Sequence, residues 1–325
     1  MGDPAGISAE ITIKAWLSRL KKPIPPFIFF GSDDLLKRRA HQMGFNIETI
    51  KINNFDEFNL LMFQNYIPVF DIKIHDEFLG QYDKQNDDAI IKSIYTACRF
   101  LNSKKIGGIV TNPVNKNSLT FNKKNFKGQT ELLAEFYKTK NQIMLLTSEK
   151  MKVIPLTRHI PITEVSNCIN EKLIINTTLI AIEGLKRYFN IIRPRVAISG
   201  LNPHAGDSGL IGLEEIDVIK PAIKHLQTQS YNVLGPFPAD SLFHESMIEK
   251  FDIIICMYHD QALIPIKASS LHSAVNVTLG LDIIRTSPDH GTAYNIARKF
   301  VADERSLIEA LILADKMIKS DDRQP

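Results

Sequence analysis

The sequence predicts an α/β protein built on a parallel sheet, and three observations carry that expectation. Short apolar runs recur along the chain, among them KVIPLT at 152–157, RVAISG at 195–200 and DIIICM at 252–257. Near-continuous apolar character is what a strand covered on both faces requires. Segments with helical spacing lie between these runs. Each of the three runs also stops at a polar loop that carries a histidine: His159, His204 and His259.

Open α/β sheets bind ligands beyond the carboxyl ends of their strands, so these histidines are candidate ligands of a divalent metal. Neutral imidazole is the commonest metal ligand, and three protein ligands with open positions is the usual form of a catalytic site. One histidine in such a loop is more often a bystander. Three in the same setting shift that balance, although they lack the short spacing of an HExxH or CxxC motif.

In chain order, a Gly/Pro turn from Gly2 to Gly6 leads into a helix whose Ile13, Trp16, Leu17 and Leu20 share a face. PPFIFFG at 25–31 predicts a strand. The helix after it has Asp33 and Asp34 in its first turn and Gly44 as its stop. Residues 46–75 read as short strands and loops, 79–89 as a polar surface loop, and 88–103 as a helix. GGIVTNPVNK at 107–116 repeats the strand-then-polar-loop pattern, and Asn112, Asn115 and Lys116 there suit either a binding cleft or a simple turn.

Further on, Thr130 is placed to cap a helix over 127–138, and a long helix is predicted over 163–189. Gly206, Gly209 and Gly212 follow His204 and suit either close approach to a bound group or ordinary turn chemistry. Asp240 is a helix cap or a carboxylate near the histidines. Lys267, Asn276 and Arg285 read as strand-end groups for carboxylate or phosphate, which arginine grips with a two-pronged fork. His290 to Thr292 form a turn before a helix, and no GxGxxG fingerprint occurs.

Composition narrows the function class. With 39 basic and 36 acidic residues the net charge is +3, too balanced to expect nucleic acid as the partner. The 3 cysteines, Cys98, Cys168 and Cys256, are odd in number and unclustered, as expected in a reducing cytoplasm. No signal peptide opens the chain and no apolar run reaches the roughly 18 residues that span a bilayer, so neither a membrane nor export is expected.

The segments GDPAGISAEI, TNPVNK, GQTELLA, RHIPIT, GLNPHAGDSG, GPFPADSLF, MYHDQALIPIK and VNVTLGLDIIRTSPDHGTA occur in that order between residues 2 and 297. Together they resemble the 4-hydroxythreonine-4-phosphate dehydrogenase family of pyridoxal phosphate biosynthesis. The resemblance implies the two-domain α/β/α architecture of isocitrate and isopropylmalate dehydrogenases, with the active site in the interdomain cleft, which accounts for the missing dinucleotide fingerprint. It implies a discontinuous first domain, 1–125 plus 292–325, and a second domain, 126–291, with the metal histidines and a dimer interface.

By the same resemblance His159, His204 and His259 bind zinc, magnesium or cobalt in a site shared across a homodimer, His159 coming from the other subunit than the remaining two. Gln129, Thr130, Lys267, Asn276 and Arg285 match substrate contacts, with Gln129 standing where the family has histidine. His290, Gly291, Thr292 and Ala293 would lie by the adenosine of NAD or NADP, and Asp240 or Asp260 would orient a ligand histidine. Arg298 replaces a usual glycine. The implied reaction is NAD(P)-dependent oxidation of 4-phosphooxy-L-threonine, followed by decarboxylation to 3-amino-2-oxopropyl phosphate. Two rivals use the same residues: a dehydrogenase of D-threonate or D-erythronate 4-phosphate, and a metal-dependent enzyme without redox chemistry.

Overall fold

A computed structural model describes residues 1–54, 57–121, 124–270 and 273–321. The first half of the chain alternates as expected: α1 (Ser8–Ser18), β1 (Phe29–Gly31), α2 (Asp33–Gln42), β2 (Thr49–Lys51), α3 (Leu60–Asn65), β3 (Ile67–Asp71), α4 (Asp87–Asn102) and β4 (Ile109–Val110). The antiparallel pair β5 (Thr120–Phe121) and β6 (Lys124–Asn125) and the helix α5 (Gln129–Phe136) follow. β1, β3 and β2 form a parallel sheet in that order.

Side-chain patterning explains these elements. Ser32 starts α2 by accepting the Leu35 N–H at 3.1 Å, with Asp33 and Asp34 at the positive end of the helix. α4 turns Ile90, Ile91, Ile94 and Cys98 inward, and each buried isoleucine contributes roughly 1.5–3 kcal/mol. On α1, Ile13 and Trp16 are buried as predicted, but Leu20 lies past the end of the helix and is exposed.

The middle of the chain supplies β7 (Ile143–Thr147), β8 (Lys152–Pro155), α6 (Val165–Cys168), α7 (Glu171–Phe189), β9 (Val196–Ser199), α8 (Lys220–Thr228), β10 (Val233–Phe237), α9 (Ala239–Leu242), α10 (Glu245–Ile248), β11 (Ile253–Cys256), α11 (His259–Ser269) and β12 (Val275–Leu279). Its strands lie in the order β10-β9-β11-β8-β7-β12; the first four are parallel, and β7 runs antiparallel to both its neighbours. Every residue of β9 and β11 is buried, the reason their sequences show no alternation. Cys256 belongs to this core, where burial pushes its thiol pKa up. The single helix expected over 163–189 is two helices, because the Asn170 side chain accepts the Leu173 N–H and starts α7 afresh.

The chain ends with β13 (Arg285–Pro288), parallel to β4, then α12 (Tyr294–Ala297) and α13 (Arg305–Asp321). Two compact units result: Met1–Lys140 with Leu281–Ile318, and Asn141–Gly280 with the chain from Lys319 onward. These limits differ from the expected 1–125 plus 292–325 and 126–291. α5 joins the first unit because Leu132 and Leu133 are buried in the same core as Ile94 and Cys98, and β13 joins it by pairing with β4. Residues 322–325 of the expected first domain lie outside the described residues. Among the described residues no helix is long and apolar enough to cross a membrane.

Candidate active site

β9, β11 and β8 are adjacent and parallel, so the loops carrying His204, His259 and His159 leave the sheet at one edge. The rings of His159 and His259 have centroids 5.8 Å apart at an interplanar angle of 43°. Two imidazoles sharing one cation at bond lengths of about 2 Å would have centroids roughly 5 Å apart, so this pair suits a common ion. His259 opens α11 and its Nδ1 lies 2.8 Å from Asp260 Oδ1. With Nδ1–H donating to that carboxylate, the Nε2 lone pair is left for a metal.

His159 and His259 stand together within one chain. Among the described residues no three His, Cys, Asp or Glu side chains of one chain come together as a metal site. His204 begins a run of left-handed backbone: His204 (φ 53°), Ala205 (53°), Gly206 (77°), Asp207 (41°) and Ser208 (56°). Each non-glycine residue in that conformation costs about 1–2 kcal/mol, and strain of this kind collects at functional sites.

A further group ties the loops together. Gln261 Oε1 accepts from Ser199 Oγ and from the Met257 N–H, both at 2.8 Å, while its Nε2 donates to the Gly200 carbonyl at 2.8 Å. One amide thereby joins the loop after β9 to the loop after β11. Sequence reasoning saw only a polar residue after an apolar strand, since nothing local shows what an amide reaches across a sheet. Asp240, by contrast, is exposed in α9 and among the described residues is not hydrogen-bonded to any histidine, so Asp260 is the carboxylate beside the His159–His259 pair. Lys267 lies in the last turn of α11 and not at a strand end; Asn276 is on β12 with its Oδ1 buried and unpaired.

In the first unit, Gln129 opens α5 and its Nε2 donates to the Asn112 carbonyl at 2.9 Å. That bond fixes the amide orientation and leaves Oε1 buried without a partner. Thr130 is buried inside the helix, and the cap is Gly128, whose extended backbone (φ −172°) is where the helix begins. Arg285 begins β13, nearly fully buried, and donates from Nε and Nη2 to Thr111 Oγ1 at 3.2 and 2.7 Å. Burial pulls its guanidinium down to about 10, against the opposing pull of Glu131. Thr12, Thr111, Asn112 and Gln129 line a cavity of about 300 Å³ in this unit.

The turn His290–Ala293 packs on the N-terminal turn: Thr292 accepts the Ile7 N–H at 3.1 Å, and a Cβ on Gly6 would sit 2.7 Å from the Thr292 carbonyl oxygen. His290 Nδ1 lies 3.1 Å from the Gly291 carbonyl and donates to it, which leaves Nε2 a buried, unpaired acceptor. Tyr294 donates to Asp3 Oδ2 at 2.5 Å and accepts from Asn115 Nδ2 at 3.2 Å, a contact between residues far apart in sequence that reading the chain did not find. Asn112 is likewise held inside the unit, its Nδ2 donating to Thr12 Oγ1 at 2.9 Å.

Comparison with known proteins bears on the family and the fold. The sequence profile of the family described as pyridoxal phosphate biosynthetic protein PdxA matches residues 23–314. The chain is 39% identical over 332 residues to the 4-hydroxythreonine-4-phosphate dehydrogenase of Bradyrhizobium diazoefficiens, covering 98% of this chain and 95% of the relative. The crystal structure of 4-hydroxythreonine-4-phosphate dehydrogenase from Klebsiella pneumoniae superimposes with a TM-score of 0.86 at 33% identity over 98% of each chain. A terephthalate 1,2-cis-dihydrodiol dehydrogenase from Burkholderia xenovorans, 23% identical with a TM-score of 0.61 over 97% of this chain and 96% of its own, shares the fold.

Proposed function

Because the chain belongs to the family of the pyridoxal phosphate biosynthetic protein PdxA, we propose that it oxidises 4-phosphooxy-L-threonine at its C3 hydroxyl with NAD or NADP. The product, 2-amino-3-oxo-4-phosphooxybutyrate, loses carbon dioxide to leave 3-amino-2-oxopropyl phosphate. The observation that carries this reading is the imidazole pair His159–His259 backed by Asp260.

His159 and His259 would hold a zinc, magnesium or cobalt ion, with His204 as the third ligand. When bound, the cation would supply Lewis acidity toward the substrate hydroxyl and carbonyl, and the nicotinamide would supply the hydride acceptor. The chain's own residues supply orientation and charge. Asp260 holds the His259 ring so that Nε2 faces outward. Arg285, Lys267 and Asn276 neutralise and orient the carboxylate and phosphate, and Thr130 and Gln129 complete the grip. The buried Nε2 of His290 accepts from an adenosine donor beside Gly291, Thr292 and Ala293.

A homodimer completes the metal centre in this reading, a second copy supplying the missing imidazole. Its support is the cluster of exposed apolar side chains just after His204, namely Leu210, Ile211, Leu213 and Ile216. Contiguous exposed apolar surface marks an interaction site.

The test is formation of reduced nicotinamide from 4-phosphooxy-L-threonine, followed by its near-ultraviolet absorbance, before and after chelation and with each metal restored. Turnover of the amino substrate with loss on chelation is expected. Faster turnover of D-threonate or D-erythronate 4-phosphate would move the assignment to the rival substrate, and product without reduced nicotinamide would replace it with non-redox chemistry.

A further inference from the structure

Glu215 is a carboxylate almost wholly removed from solvent at the start of the π-helical turn Glu215–Ile219, eleven residues after His204. Its Oε1 accepts the backbone N–H groups of Leu201 and Asn202 at 2.7 and 2.8 Å, and its Oε2 accepts from Asn202 Nδ2 at 2.9 Å. These donors are the last groups of the chain before Pro203 and the left-handed run that begins at His204. Backbone on both sides of His204 closes around the same carboxylate: a Cβ on Gly206, within the run, would lie 2.6 Å from Glu215 Oε2, and one on Gly200, before it, would lie 3.0 Å from Oε1. Glu214 reinforces the arrangement, accepting from Asn202 Nδ2 at 2.8 Å and from Ser166 Oγ at 2.7 Å.

A loop in an unfavourable backbone conformation persists only where its surroundings over-determine it. Here one buried carboxylate satisfies two backbone donors and a side-chain amide at the entrance of the loop. Charge-assisted bonds of this kind are the strong ones, and π-helical turns are frequent at functional sites.

We propose that Glu215 is the positioning residue for His204, fixing the loop geometry that presents this imidazole to the metal. The proposal rests on the reading of His204 as a ligand, so the experiment separates the two. Cobalt(II) is titrated into the metal-free protein and followed by its visible absorption. The wild type is compared with His204→Ala and Glu215→Gln, and amide hydrogen exchange over residues 200–209 is measured on each. The isosteric Glu215→Gln places an amide N–H₂ against donors that need an acceptor. It is expected to weaken cobalt binding at least about tenfold and to quicken exchange in the loop, with the melting temperature close to that of the wild type.

If Glu215→Gln binds cobalt like the wild type while His204→Ala loses it, Glu215 has no positioning role and the proposal falls. If His204→Ala binds cobalt like the wild type, the ligand reading falls first and takes the proposal with it. Should Glu215→Gln fail to fold, Asn202→Ala releases only the Oε2 side of the clamp and serves the same comparison. Weakened cobalt binding in that folded variant supports the proposal and unchanged binding overturns it.

Discussion

Arg285 is a cation kept away from water. Its pKa, drawn down to about 10 by burial, still lies well above neutrality, so the guanidinium stays charged and poorly solvated. A lysine at that position would carry the charge but could not donate twice to Thr111 and again to a substrate oxygen. Arg285→Lys should therefore raise KM by about tenfold or more with a smaller change in kcat, measured by steady-state kinetics. Gln129 presents the opposite case, an amide that gives one of its two N–H donors to Asn112 and cannot titrate. Gln129→His adds a ring that becomes cationic below about pH 6.5. The ratio of variant to wild-type KM should fall as the pH is lowered through that range, and a ratio independent of pH would show that position 129 does not meet the substrate anion. Residue types at both positions were legible in the sequence. What was not legible is which hydrogen bonds each side chain had already spent.

At the scale of elements, the parallel strands that bear the histidines are clamped where they begin as well as tied where they end. Arg195 and Asp252, just before β9 and β11, share an ion pair at 3.0 Å; the Arg195 N–H donates to Asp252 Oδ2 at 2.7 Å and the Asp252 N–H to the Arg195 carbonyl at 2.8 Å. Burial works against the Asp252 carboxylate, but the bonds from Arg195 outweigh it and hold its pKa below the usual value. A depressed carboxylate pKa contributes stability that is present above the unfolded value and is lost as the pH falls through the folded one. Asp252→Asn should cost roughly 1 kcal/mol at neutral pH, kept small by solvent screening. The difference should shrink progressively as the pH falls below the ordinary carboxylate range, as read from denaturant melts across pH. The strands themselves could be seen in the sequence because a doubly covered strand must be apolar throughout. The left-handed run from His204 to Ser208 could not, since four of its five residues are not glycine and the buried Glu215 carboxylate at its entrance comes from a later element.

For the whole molecule, the sharpest consequence concerns which chain owns which ligand. If His159 and His259 of one chain take their third ligand, His204, from a second copy, His204→Ala and His259→Ala homodimers are each inactive. Mixed dimers then retain one intact site of two. Refolding the two variants together at equal ratio should restore about a quarter of wild-type activity, half the dimers being mixed with half their sites intact. No recovery would place all three ligands on one chain.

The sequence by itself determined the α/β class, the three strand-end histidines and the family, because apolar continuity, strand length and short motifs are properties of neighbouring residues. Only the tertiary structure decided that His159 stands beside His259, that Asp260 and not Asp240 backs the pair, and that α5 and β13 join the first unit. Those outcomes depend on strand order and on which buried donor finds which acceptor across the sheet. Such pairings join residues about a hundred positions apart, His159 with His259 and Thr157 with Met257, and no local pattern encodes them.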